Sequence, residues 1–241
     1  MSRFAGKALL VTGGGSGLGA ATARRFAAEG GAIAVADLDG EAARSVAEAL
    51  PSAVGLTCDV SDEGSVGAAV AAARDALGRL DCVFNSAGFV RFTPIEELSL
   101  DEWNRMLAVH LTGTFLVCRA ALPVLRESGG GAIVNMASAS ALLARPHLGA
   151  YAAAKGGVIS FSRQLALDAH GYGVRVNTIA PGSVQTPLLS GVYESGSAPH
   201  AIQPRVAAPD EIAATVCFLL SDDASFMTAA LVVADGGATA L

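Results

Sequence analysis

Tyr151 and Lys155 stand four residues apart in a stretch otherwise built of Ala and Gly, from Ala150 to Gly157. In a helix that spacing puts both side chains on one face. Neighbours this small leave the pair facing open space. A free phenol has a pKa of about 10 and is a poor base at neutral pH. An ammonium held nearby favours the phenolate, and the pair then suits proton transfer at an alcohol oxygen. The same spacing also fits a tyrosine anchored in a core with a lysine tip in water.

A second group follows the first apolar run: Thr12-Gly13-Gly14-Gly15-Ser16-Gly17-Leu18-Gly19. A glycine cluster alone is equally a flexible turn. Here a strand-like segment precedes it and a helical one follows. Gly13 suits a tight turn, Gly17 lets a pyrophosphate approach the backbone, and Gly19 lets helix and strand pack closely. Ser16 and Leu18 are counted with the same cradle, at a helix N-terminus whose free N–H groups favour phosphate. Asp37 closes the next apolar run, 18 residues after Gly19. With Leu38 beside it, a carboxylate there can accept hydrogen bonds from adenosine ribose hydroxyls and repel a 2′-phosphate. No Arg or Lys lies in the loop or directly after Asp37, so NAD is expected rather than NADP. The Asp37-Leu38-Asp39-Gly40 stretch reads as a solvated turn on the other view.

Short apolar runs must hold these groups. Strands are expected at Lys7–Thr12, Ala32–Asp37, Val54–Asp59, Leu80–Asn85, Ala132–Met136, Val174–Ile179 and Leu231–Ala234. Helices are expected between them: Gly17–Glu29, Glu41–Leu50, one opened by Ser61, one from Leu100 towards Arg119 behind a Ser99–Glu102 capping box, Tyr151–Ala169, and one from Pro209. Strands apolar on both faces and separated by helices mean a parallel sheet covered on both sides. The expected fold is α/β: a single doubly wound, Rossmann-like domain over 1–241 with a seven-stranded parallel sheet. Val184–Ala208, rich in Gly, Ser and Pro, is the only long irregular stretch and is read as a substrate lid.

Composition narrows the function classes. The hydrophobic fraction is 52% and the charged fraction 16%, which excludes disorder. The net charge is -6 with no basic tract, so neither nucleic acid nor an anionic membrane surface is an expected partner. The uncharged stretch Val176–Tyr193 is broken by Pro181, Gly182 and Pro187, and Arg3 and Lys7 precede too few apolar residues for a secretory signal. Cys58, Cys82, Cys118 and Cys217 lie far apart without a CxxC pair, which reads as buried thiols in a cytoplasmic protein. His147, His170 and His200 have no metal-ligand spacing, and no metal is expected.

The Thr-Gly-x-x-x-Gly-x-Gly spacing resembles the short-chain dehydrogenase/reductase family, and the motifs downstream repeat the resemblance in order from Lys7 to Gly237. It implies Ser138, 13 residues before Tyr151 and close to a strand end, as the serine of a Ser-Tyr-Lys set in preference to Ser140. Tyr151 is then the general acid/base, Lys155 lowers its pKa and bonds the nicotinamide ribose, and Ser138 holds the substrate oxygen. Asp59 resembles the residue that bonds the adenine amino group, with Val60 beside it; a charge for the next helix start is the other reading. Asn85-Ser86-Ala87-Gly88 is similar to the family's Asn-Asn-Ala-Gly turn, so Asn85, Ala87 and Gly88 are placed at the cofactor. Pro181-Gly182-Ser183-Val184-Gln185-Thr186 is similar to its PGxxxT segment, with Pro181, Gly182, Val184 and Thr186 near the nicotinamide. One position departs: His110 stands where many relatives carry an Asn thought to hold a water beside the lysine. That histidine reads as a water-holding relay, as a packing residue, or as a damaged relay. The family is commonly homotetrameric, and that is the expected assembly.

Phe89, Ser140, Leu142, Leu143, His147 and Leu148, with Leu188, Leu189, Val192 and Tyr193 of the lid, are mostly apolar. They imply a small neutral alcohol/ketone substrate. The expected function is NAD-linked hydride transfer to or from such a substrate. An NADPH-preferring carbonyl reductase and a catalytically silent dinucleotide-binding regulator are the alternatives.

Overall fold

The computed structural model describes residues 2–187 and 201–241. Seven parallel strands form one sheet: β1 (Ala8–Thr12), β2 (Ala32–Asp37), β3 (Ala53–Thr57), β4 (Cys82–Asn85), β5 (Gly131–Met136), β6 (Val174–Pro181) and β7 (Leu231–Ala234). Their order is β3-β2-β1-β4-β5-β6-β7. The chain starts in the middle, runs to one edge, then crosses back to build the other half. The order therefore reverses between β1 and β4, and a crevice opens there at the carboxyl ends of the strands. This is the doubly wound architecture that the alternation of apolar runs requires.

Helices cover both faces. α1 (Gly17–Ala28), α2 (Gly40–Glu48) and α7 (Pro209–Leu220) pack on one, where Phe26, Ala43 and Val216 meet Leu9, Ile33 and Phe84. α3 (Glu63–Leu77), α5 (Gly113–Glu127) and α6 (Gly149–Ala169) pack on the other, around Leu10, Val83 and Ile133. Alanine supplies much of the inward faces of α1, α2, α3 and α6, which lets them sit close to the sheet. The Leu100–Glu127 run is apolar and long enough by composition to cross a membrane, but Leu116, Val117, Cys118, Ala121 and Leu125 on it are core residues.

Helix starts differ from the expected ones. Asp62, not Ser61, caps α3: its carboxylate accepts the Ser65 N–H at 2.6 Å. Ser61 instead bonds the Asp59 carboxylate through both its N–H and its hydroxyl. Before α4 (Leu100–Leu107) only half of the capping box forms. Ser99 accepts the Glu102 N–H at 3.1 Å, but the Glu102 side chain accepts the Thr93 hydroxyl at 2.6 Å. The long helix continues past Arg119 to Glu127 and contains a π-helical turn at Ala108–Thr112. Such a turn inserts a residue and re-aims side chains, and it is common at functional sites. His110 lies in it.

Candidate active site

The crevice at the β1/β4 switch point is a cavity of about 550 Å³. The glycine loop, the ends of β2, β4, β5 and β6, and the first turns of α6 wall it. At one end Ser16 begins α1 without lending a side-chain bond to its first turn. The N-terminal N–H groups of that helix are thus available to an anion. A Cβ on Gly19 would collide with the Gly13 carbonyl, so only glycine lets the loop fold back onto the helix. Gly13, Ser16, Gly17 and Leu18 line the cavity; Gly19 sits behind them.

Asp37 faces this loop from the end of β2. One carboxylate oxygen accepts the Gly15 N–H at 2.9 Å and the other the Asp39 N–H at 3.0 Å. The carboxylate both lines the cavity and braces the loop. Leu38, 67% exposed, lies beside it at the rim. Asp59 and Val60 continue the wall. The Ser61 hydroxyl holds the Asp59 carboxyl below the usual carboxylate range. A glycine cradle, open helix N–H groups and two carboxylates at the far end fit the phosphates and adenosine of a dinucleotide.

Asn85 is a correction. It does not line the cavity but lies beneath its floor, where its amide donates to Asn135 Oδ1 at 2.8 Å. Asn135 in turn donates to the Ser162 hydroxyl on α6 at 2.9 Å. The chain of bonds ties β4 and β5 to the helix that carries the tyrosine and lysine. Ala87 and Gly88 do line the cavity, with Pro181, Gly182, Val184 and Thr186 opposite them.

Ser138, Tyr151 and Lys155 meet in the same cavity. Ser138 caps the short turn after β5, accepting the Ser140 N–H at 3.1 Å. Its hydroxyl lies close enough to Tyr151 to favour the phenolate. Lys155 donates to the Met136 carbonyl at 2.7 Å and lies 5.8 Å from the centre of the Tyr151 ring. Burial pushes the phenol up, and the Ser138 hydroxyl opposes that. The Lys155 amine is turned to the strand carbonyl and stands on the same side of α6 as the phenol. Burial pushes Lys155 itself down to about 7.

His110 is 2% exposed and stands edge-on to Tyr151, with ring centres 5.3 Å apart. Its Nε2 lies 2.8 Å from the Phe89 carbonyl and 3.3 Å from the Phe89 N–H, so the ring is anchored to Phe89 in either tautomer. Nδ1 is buried and without a partner among the described residues. Gly88 allows the ring in: a Cβ there would collide with it. Burial first, and the charge of Lys155 second, push His110 down to about 3. The ring is neutral at physiological pH, so it does not relay protons as an imidazolium. A stability signature follows. Below pH about 6.5 the unfolded chain takes up a proton that the folded ring refuses, so stability falls as pH drops from there towards 3. That slope is at most about 1.4 kcal/mol per pH unit. Urea unfolding between pH 6.5 and 5 should show it in the native sequence and lose it in His110→Asn; equal slopes would contradict the buried neutral ring.

Of the expected pocket residues, Phe89, Ser140 and Leu148 line the cavity. Leu142, Leu143 and His147 do not. Leu142 is 44% exposed, and His147 turns outward with φ of 63° while its carbonyl accepts the Thr93 N–H. Leu188, Leu189, Val192, Tyr193 and His200 lie outside the described residues. The two ends of the expected lid are clipped together by a bridge between Val184 and Ala207. Arg105 and Arg145 line the cavity and were missed by sequence reasoning. A charged residue between Ser138 and Tyr151 was the available signal for Arg145. All four cysteines are free and buried, and among the described residues no three His, Cys, Asp or Glu side chains are grouped to hold a metal.

An acid–base pair at the switch point of a doubly wound sheet, opposite a phosphate cradle, defines a dinucleotide-dependent oxidoreductase. The family model described as enoyl-(acyl carrier protein) reductase matches residues 13–239. D-threitol dehydrogenase of Mycolicibacterium smegmatis is 46% identical, over 98% of this chain and 94% of its own. The crystal structure of levodione reductase superposes with a TM-score of 0.93 at 37% identity, covering 99% of both chains. A 3-ketoacyl-(acyl-carrier-protein) reductase from Brucella melitensis, complexed with NADH, gives 0.92 at 33% identity, covering 98% of this chain and 99% of that one. The chain belongs to the short-chain dehydrogenase/reductase family, and it is an oxidoreductase that interconverts a secondary alcohol and its ketone by hydride transfer.

Proposed function

We propose that this chain is an NAD-dependent dehydrogenase of a small secondary alcohol or diol, with Tyr151 as its general acid/base. The observation that carries the reading is the meeting of Tyr151, Ser138 and Lys155 in one cavity with the glycine loop and Asp37. When bound, the dinucleotide supplies the hydride acceptor or donor. The Tyr151 oxygen takes the hydroxyl proton as the carbinol becomes a ketone, and returns it in reduction. Ser138 holds the substrate oxygen beside it. Lys155, pinned by the Met136 carbonyl, bonds the ribose and places its charge near the phenol. His110, neutral and anchored to Phe89, makes a hydrogen bond through Nδ1 and so positions solvent or Lys155.

Asp37 supports NAD over NADP, since none of the cavity's cationic residues, Arg105, Arg145 and Lys155, forms an ion pair with it. The relative from Brucella melitensis was solved with NADH, and the Mycolicibacterium smegmatis relative acts on threitol, a small polyol. Both favour this reading. The remaining proposals are that residues 1–241 act as one domain with 184–208 covering the substrate, that buried reduced thiols suit the cytoplasm, and that the assembly is a homotetramer. Two separate exposed apolar positions favour the tetramer: Phe115 and Leu167 on α5 and α6, and Phe218 on α7.

An absorbance screen of NAD and NADP reduction across small alcohols, diols, sugars and steroids tests the function. Turnover of a small secondary alcohol with NAD is the expected outcome. Turnover with NADP alone, or none with bound NADH, would overturn it. Light scattering should give four times the chain mass.

A further inference from the structure

The catalytic cavity does not end at Ser138 and Tyr151. A second cavity of about 640 Å³ opens beside it, between the end of β6, the start of α7 and the turn after β7. Arg145 and Ser183 line both cavities. They therefore stand on the wall that the two cavities share.

Every charged side chain on the wall of the second cavity except Arg145 has a hydrogen-bond partner among the described residues. Asp235 accepts the Gly237 N–H at 2.9 Å and the Thr239 N–H at 2.7 Å. Glu211 takes Arg205 through two bonds of 2.7 Å and also accepts the Ala208 N–H. Arg145 is partly buried and has no hydrogen bond or ion pair among the described residues. A guanidinium keeps its charge and presents five donors in a fixed fork, which matches paired oxygens. The chain as a whole is acidic, so an oxygen-rich group has to be met locally, and Arg145 stands on the wall of the cavity that holds Ser138 and Tyr151. Ile202, Ile212 and Val233 make the rest of the second cavity partly apolar, which suits a carbon chain carrying such a group.

We propose that Arg145 sets substrate specificity: it receives a pair of oxygen acceptors at the far end of the substrate, supplied by vicinal hydroxyls or by a carboxylate. This rests on the dehydrogenase reading and narrows its substrate class. Arg145 acts on binding and takes no part in proton transfer.

Three secondary alcohols of four carbons make the test: 2-butanol, which has no second oxygen, threitol and 3-hydroxybutyrate. The native enzyme should prefer threitol or 3-hydroxybutyrate to 2-butanol. In Arg145→Met the KM of the preferred compound should rise about tenfold or more, the loss of bonds to a charged donor, with 2-butanol unchanged. Arg145→Lys separates the two sources: a point charge restores a carboxylate substrate but not a hydroxyl pair. Equal changes for all three alcohols, or none, with the thermal midpoint and NADH binding as in the native enzyme, would overturn the assignment. If the native enzyme binds NADH but turns over none of them, the dehydrogenase reading fails and this one with it.

Discussion

Tyr151→Phe should lower kcat by at least about a hundredfold with any substrate the enzyme oxidises, in keeping with the loss of a positioned acid/base. The ring stays in place: it packs against His110 and the Met106, Ala150 and Ala154 cluster, and phenylalanine preserves those contacts. What goes is the oxygen that exchanges the proton, beside Ser138. Dinucleotide affinity should change little, because the cradle at Gly13–Leu18 and the Asp37 carboxylate are remote from that oxygen. Rapid-mixing kinetics at saturating cofactor separates the two quantities. Turnover like that of the native enzyme would exclude Tyr151 as the acid/base. The pH profile adds a second constraint. Burial raises the phenol, so oxidation requires the positive charge of Lys155 and of the bound nicotinamide to bring it back towards neutrality. Lys155→Met should therefore move the acid limb of the oxidation profile to higher pH.

The second large effect concerns cofactor choice. Asp37→Asn should weaken discrimination against NADP by about tenfold to a hundredfold, the scale of removing a charged partner and its repulsion. Asparagine is the informative replacement. Its side-chain oxygen can still accept the Gly15 N–H that Asp37 accepts at 2.9 Å, so the loop keeps its brace while the charge goes. Asp37→Ala removes both, and should also weaken NAD binding by loosening the loop. Dissociation constants for NADH and NADPH, measured by fluorescence for each variant, separate charge from scaffold. Unaltered discrimination in both variants would show that Asp37 is a structural brace alone.

The fold was legible because parallel strands buried on both faces read as unbroken apolar runs, and glycine, Asp and Pro punctuate them. The site was legible where residue type and backbone conformation coincide, as at the glycine loop and at Tyr151 and Lys155 on one helix face. It was less legible where a side chain has more than one partner within reach. Ser61 and Asp62 both suit a helix start, and the Asp59 carboxylate decides between them by taking Ser61. Glu102 fits a capping box until Thr93, from the segment leading into α4, takes its carboxylate. Asn85 looks like a cofactor residue in its tetrapeptide, and only its register opposite Asn135 on β5 turns it beneath the floor. The π-helical turn leaves no apolar period to read, and the outward turn of His147 depends on a left-handed backbone that a non-glycine residue rarely adopts. Arg145 gains its meaning from the second cavity, which exists only when β7 and α7 close around it.

Catalysis by this chain depends on one phenolic oxygen and one serine hydroxyl sharing the oxygen of the reacting alcohol. A crystal structure of the complete chain with oxidised dinucleotide and a turned-over alcohol measures this directly. The alcohol oxygen should lie about 2.6–3.2 Å from both Tyr151 Oη and Ser138 Oγ, with its carbinol carbon facing the nicotinamide ring. An alcohol bound away from Tyr151, or a nicotinamide ring on the far side of the glycine loop, would contradict it.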